Sequence, residues 1–217
     1  ASALARQVAN IIGRPVVGII AGYGAADMMS EALGGWFDFG LQNRTRAAVA
    51  GLRKTLGSAA PAKTDRLKKK FEVLSDALLV DDPESNTLIN IMLRQGYKLR
   101  LVVGHSKGAM NISNACHALV REPEFDENAY KDLLIVTFGC GITLPSQFTR
   151  LEQFIGTLDA LGNTNTPSAV HDDETVHWIS GKAHNLCSMN PMHMPVEELL
   201  PQVLRLNRPL KDKRSSH

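Results

Sequence analysis

The sequence predicts an α/β fold in which a mostly parallel central sheet is flanked by helices, all within a single domain of 217 residues. Three observations predict it. First, short apolar runs such as Leu133-Leu134-Ile135-Val136-Thr137-Phe138-Gly139 are continuous rather than alternating, as strands buried on both faces require. Second, segments with helical apolar spacing lie between these runs. Third, Lys98 to Met110 passes from an apolar run through Gly104-His105-Ser106-Lys107-Gly108 into a helix-compatible segment. A strand that turns so sharply into a helix lifts the side chain at the turn out of the fold.

Bulk properties exclude several classes. A hydrophobic content of 44% with 21% charged residues is ordinary for a globular protein, and a net charge of +2 is too small to argue for nucleic acid as a partner. Cys116, Cys140 and Cys187 are an odd, widely spaced set, neither a disulfide framework nor a zinc motif. They favour a reducing compartment, so a cytoplasmic location is expected, with a secreted protein or a piece of a longer chain as the alternatives. No apolar run approaches the roughly 18–20 residues needed to span a bilayer, and Ala1 to Asn10 lacks the pattern of a signal peptide.

Taken in order, Ala1 to Ile12 reads as a short helix with Leu4, Val8 and Ile11 on one side, closed by Gly13. The β-branched run Val16-Val17-Gly18-Ile19-Ile20 reads as a buried strand leading into the glycine-rich loop Ala21 to Ala26. Gly22 and Gly24 have the first spacing of a dinucleotide fingerprint, but Asp27 stands where the third glycine belongs, so no cofactor is implied. An aromatic loop, Gly34 to Gly40, precedes two helical patterns, Leu41 to Leu56 and Thr64 to Leu79. Between Arg44 and Lys70 nine Lys or Arg face the single acid Asp65, which reads as a solvated face or as a basic surface for an anionic lipid interface or acidic partner.

Asp81-Asp82-Pro83-Glu84-Ser85 starts the next helix, with Leu88, Ile89, Met92 and Leu93 as its apolar positions and Gly96 as its C-cap. The run into Ser106 follows, then a helix from Lys107 to Val120, a polar loop Pro123 to Asn128 and the strand Leu133 to Gly139. Gln153 to Leu158 forms another strand, ending at Asp159 and the loop Ala160 to Ser168. Glu174 to Ile179 is the last strand, Pro195 to Leu206 an amphipathic helix, and Arg208 to His217 a basic tail.

Gly104-x-Ser106-x-Gly108 is the pattern of a nucleophile elbow, in which both glycines spare a tight turn from steric conflict. A nucleophilic Ser106 at the start of a helix meets N–H groups and a dipole that favour developing negative charge. It needs a general base, and the base needs an orienting acid. Ligand-contacting residues of open α/β sheets gather at the carboxyl ends of the strands. Asp159 stands at one such end, and His184 lies just past another. His193, immediately before the last helix, competes with His184 as the base. Asp172 and Asp173 are fallback acids, while His177, inside a strand, reads as a packed side chain and His105, next to Ser106, as structural.

With Val102 to Ala109, Val136 to Gly139, Asp159 and His184 in this order, the sequence resembles the α/β-hydrolase superfamily, and within it the class-three lipases. The resemblance covers roughly Lys98 to Pro195. It implies an α/β-hydrolase-like core and a carboxylic ester hydrolase of lipid metabolism with a Ser106–His184–Asp159 triad. It also implies an oxyanion hole made by the backbone N–H of Lys107 and one from Gly22, and no metal or cofactor. The stretch before the elbow is long and helical, so the sheet is expected to be reduced, with 41–79 as a helical cap or lid. An acyltransferase or thioesterase would use the same residues. A non-catalytic lipid- or protein-binding module, docking through the basic helices, is the alternative of another class.

Overall fold

The computed structural model describes residues 2–20, 45 and 82–207. The stretches read from the sequence as a glycine-rich loop with Gly22, an aromatic loop, a helical cap over 41–79 (apart from residue 45) and a basic tail lie outside the described residues.

At the centre are β1 (Leu101–His105), β2 (Leu134–Phe138), β3 (Leu151–Gly156) and β4 (Val176–Ile179), hydrogen-bonded in that order. Every pair is parallel, with Val103 opposite Val136, Thr137 opposite Gln153 and Phe154 opposite His177. All five residues of β2 are buried, and its side chains divide between two cores. Ile135 enters one core, while Leu134, Val136 and Phe138 enter the other. A strand with helices on both faces has no polar side to display, which is why this run is apolar throughout.

The core containing Ile135 is closed by α2 (Pro83–Gln95) and α3 (Lys107–Leu119), through Leu88, Met92, Ile112, Cys116 and Leu119. Tyr130, in the single turn α4 (Glu127–Tyr130), stacks on Phe125 and leans on Phe148 at one margin of this core. The opposite core is closed by α1 (Ser2–Ile12) and α6 (Val196–Leu206), through Val8, Val196, Leu200 and Val203. Each fully buried large aliphatic or aromatic side chain contributes about 1.5–3 kcal/mol, so these two apolar faces hold the three layers together.

Three elements differ from the sequence expectation. Val16 to Ile20 is not a strand: Val17 is 78% exposed and Ile20 52% exposed. Val16 packs on the α1/α6 core and Ile19 on the α2/α3 core, so the segment crosses from one face of the sheet to the other. Its β-branched residues favour extended backbone, but a strand also needs a ladder, and among the described residues this one has none. Ala160 to Ser168, expected as a loop, contains α5 (Ala160–Asn165) because Asp159 caps it by accepting the Gly162 N–H at 2.6 Å. The loop Pro123 to Asn128 likewise runs into α4, capped by Asp126.

The start of α2 is fixed by polar atoms inside the fold. The Asp82 carboxylate accepts the Ser85 N–H at 2.8 Å and the Asn114 amide at 3.1 Å, and Asp82 is only 7% exposed. Asp82→Ala is expected to lower stability by about 1–2 kcal/mol, since one cap is lost and a buried amide loses an acceptor. Urea unfolding at neutral pH measures it, and an unchanged midpoint would speak against this role.

Candidate active site

Because all four strands run the same way, whatever follows each of them emerges on one edge of the sheet. Ser106 follows β1, Gly139 follows β2, Asp159 follows β3, and His184 stands in the loop after β4.

Ser106 adopts φ 56° and ψ −125°, the positive-φ non-glycine residue among those described. Such a conformation costs about 1–3 kcal/mol and persists only where its surroundings enforce it. Here the Ser106 N–H donates to the Phe138 carbonyl at 3.0 Å, and the Ser106 carbonyl accepts the Ala109 N–H at 2.9 Å. Gly104 makes room for the turn, since a Cβ there would lie 2.5 Å from Ile112 Cδ1 and 2.9 Å from the Ala109 nitrogen. Gly108 does not share this duty. A Cβ on it would meet nothing within 4 Å, which corrects the expectation that both glycines relieve the turn.

His184 joins the nucleophile candidate to the acid candidate. Its Nε2 lies 2.8 Å from Ser106 Oγ, and its Nδ1 lies 2.8 and 2.9 Å from the two Asp159 oxygens. A carboxylate only accepts, so Nδ1 carries the proton and the Nε2 lone pair faces the serine hydroxyl. The Asp159 side chain is completely buried and the His184 side chain 22% exposed, so a covered carboxylate orients a reachable imidazole. This hydroxyl–imidazole–carboxylate chain can take a proton from oxygen as that oxygen attacks, and stabilise the imidazolium that forms.

The other candidates are placed elsewhere. His193 Nδ1 bonds the Asn190 carbonyl at 2.7 Å, within its own turn. Asp173 accepts from Thr175 at the entry to β4, and Asp172 is exposed. His177 bonds Glu152 at 2.7 Å and stacks on Phe154. Lys107 occupies the first position of α3, directly after Ser106, and Gly22 lies outside the described residues. Among the described residues no group of three His, Cys, Asp or Glu side chains is arranged to hold a metal ion.

Sequence reasoning missed two features of this edge. Gly139, at φ 72°, lies against the histidine–aspartate pair: a Cβ there would come within 3.1 Å of His184 Cε1 and 3.3 Å of Asp159 Oδ2. A glycine directly after a buried strand was its available signal. The contact of His105, read from the sequence only as structural, was the other: its Nε2 lies 2.7 Å from the His184 carbonyl and its ring centroid 4.8 Å from that of His184. Burial, then the neighbouring His184, push its pKa down to about 4.

Fold and site together define an α/β protein with a hydroxyl–imidazole–carboxylate relay at the carboxyl edge of a parallel sheet. No family model, curated protein or solved structure matches the chain.

Gly104→Ala is expected to cost about 1–3 kcal/mol through overpacking against α3. Gly108→Ala should be neutral, or stabilise the helix by up to about 1 kcal/mol. Unfolding midpoints of the pair check the asymmetry, and equal losses would contradict it. His105 also sets a pH dependence of stability. Its folded pKa is about 4 against an ordinary 6.5, so between these values the unfolded chain binds more protons. Stability should therefore fall as pH drops from 6.5 towards 4, by up to about 3 kcal/mol from this residue. His105→Gln should flatten that part of the curve, and parallel curves for the two proteins would count against it.

Proposed function

We propose that this protein is a serine hydrolase that cleaves carboxylic esters through an acyl-enzyme on Ser106, on a reduced α/β-hydrolase core. The observation that carries the reading is the continuous hydrogen-bond chain from Ser106 through His184 to the buried Asp159. The order Ser106, Asp159, His184 and the strained strand-to-helix turn support it, as does the resemblance to class-three lipases.

In this mechanism Ser106 Oγ attacks the ester carbonyl carbon while His184 Nε2 takes the hydroxyl proton. Asp159, held against Nδ1, stabilises the resulting imidazolium. The negative charge collects on the carbonyl oxygen, where the backbone N–H of Lys107 at the head of α3 serves as one oxyanion donor. Each such donor is worth about 3–4 kcal/mol of barrier. The second donor is assigned to Gly22. Collapse breaks the ester C–O bond, and His184 passes its proton to the departing alcohol. Water, deprotonated by His184, then attacks the acyl carbon and releases the acid, restoring Ser106.

The substrate class is a lipid or other acyl ester. The basic helical stretch 41–79 is assigned as a lid or a peripheral contact with a lipid interface, on its chain position and charge alone. Transfer to an alcohol or thiol would use the same residues, and product analysis with competing acceptors separates it from hydrolysis.

Ser106→Ala is expected to lower kcat on a short-chain activated ester by at least about a thousandfold and to abolish labelling by a fluorophosphonate probe. Asp159→Asn should lower kcat by up to about ten-thousandfold by favouring the wrong tautomer. Turnover retained by Ser106→Ala would sink the reading.

A further inference from the structure

We infer that His105 is a positioning residue for the base: its Nε2–H, donated to the main-chain carbonyl of His184, ties the loop that carries the imidazole to the strand that carries Ser106. The inference rests on the proposed role of Ser106, His184 and Asp159.

The topology creates the need. Ser106 follows β1 and His184 follows β4, and among the described residues these are the two outer strands of the four in the sheet. Adjacent strands lie about 4.8 Å apart, so the loop after β4 must reach back across roughly 14 Å to bring Nε2 to the serine. His184 sits in irregular backbone, and no helix or strand holds it. Main-chain bonds peg the loop on its far side: Leu158 donates to the Lys182 carbonyl, Ala183 to the Met192 carbonyl, and Met194 to the Asn185 carbonyl. These hold residues 182–185 to β3 and to the approach to α6, on the side away from β1.

The His105 bond ties the main chain of this loop to β1, beside the side-chain contact of His184 with Ser106. His105 is the last residue of β1 and the chain neighbour of Ser106, so the nucleophile and the clamp move as one unit. The bond is 2.7 Å long, and the two imidazole rings meet at 4.8 Å and 41°. A carbonyl accepts and cannot donate, so His105 must present Nε2–H, which fixes its tautomer. The ring is neutral at neutral pH because burial and the neighbouring His184 disfavour its cation; the bond to the His184 carbonyl and then Asp159 act the other way and are outweighed. A neutral clamp matters here, because a second cation so close would oppose the imidazolium that His184 becomes during turnover.

The test uses the full chain with His105→Phe, which keeps a ring and loses the donor, and His105→Gln, whose amide can still donate. Three readouts are taken: kcat and KM on a short-chain activated ester, the rate of fluorophosphonate labelling, and the imidazole nitrogen NMR signals of His184. His105→Phe should lower kcat about 10- to 100-fold, as misplacing a base by a fraction of an ångström to an ångström does, and should change the His184 signals. KM should stay within about twofold, since ground-state binding is untouched. His105→Gln should recover most of the lost kcat and the wild-type His184 signals. Wild-type kcat and unchanged His184 signals in His105→Phe would overturn the inference, as would a His105→Gln variant no better than His105→Phe. If His105→Phe does not fold, His105→Asn, too short to reach the carbonyl, takes its place against His105→Gln, and equal kcat in that pair overturns it. A wild-type protein that neither turns over the ester nor labels refutes the hydrolase reading instead, and the His184 signals still decide the role of His105.

Discussion

A carboxylate sealed from water is the constraint around which the carboxyl edge of the sheet is organised. An ion taken out of solvent costs several kcal/mol unless its oxygens are met by donors. Asp159 solves this with the Gly162 N–H on one oxygen and the His184 Nδ1–H shared between both. The first donor requires the chain after β3 to turn at once into α5, and the second requires the loop after the neighbouring strand β4 to fold over it. Gly139 and Gly162 both lie so near this carboxylate that side chains there would crowd it. The acid therefore shapes three separate stretches of backbone, and the imidazole is oriented as a result.

The strain at Ser106 has a similar logic. A backbone conformation that L-residues avoid is held by the Phe138 carbonyl on β2, the first turn of α3 and the empty side of Gly104. All three depend on the sheet and α3 being already packed through Ile112 and Ile135. The hydroxyl is thus presented by the core, at the core's expense, and not by the loop itself.

Much of this was legible in the sequence, for identifiable reasons. Leu133 to Gly139 could be read as a strand because burial on both faces forces an unbroken apolar run, and β2 is buried throughout. The strand–turn–helix around Ser106 was legible because glycine, serine and helix periodicity all pointed the same way. Val16 to Ile20 misled because residue preference reports backbone conformation and not the presence of a ladder partner. Ala160 to Ser168 misled because its helix is short and rests on the cap from Asp159, a bond that Gly, Asn and Thr composition conceals. Choosing between His184 and His193 needed the third dimension: both lie in irregular chain near α6, and only the reach of the loop decides which imidazole meets Ser106. The tie from His105 to a main-chain carbonyl left no trace in side-chain pattern at all.

The Ser106–His184 bond joins residues 78 positions apart, one directly after β1 and the other in the loop after β4. Contacts of such sequence separation form late, because their loop-closure entropy must be met before they stabilise anything. During synthesis Ser106 leaves the ribosome long before His184, so their contact waits for the chain beyond β4. The arrangement makes the hydrogen-bond chain from Ser106 to Asp159 a property of the finished sheet and of no earlier fragment.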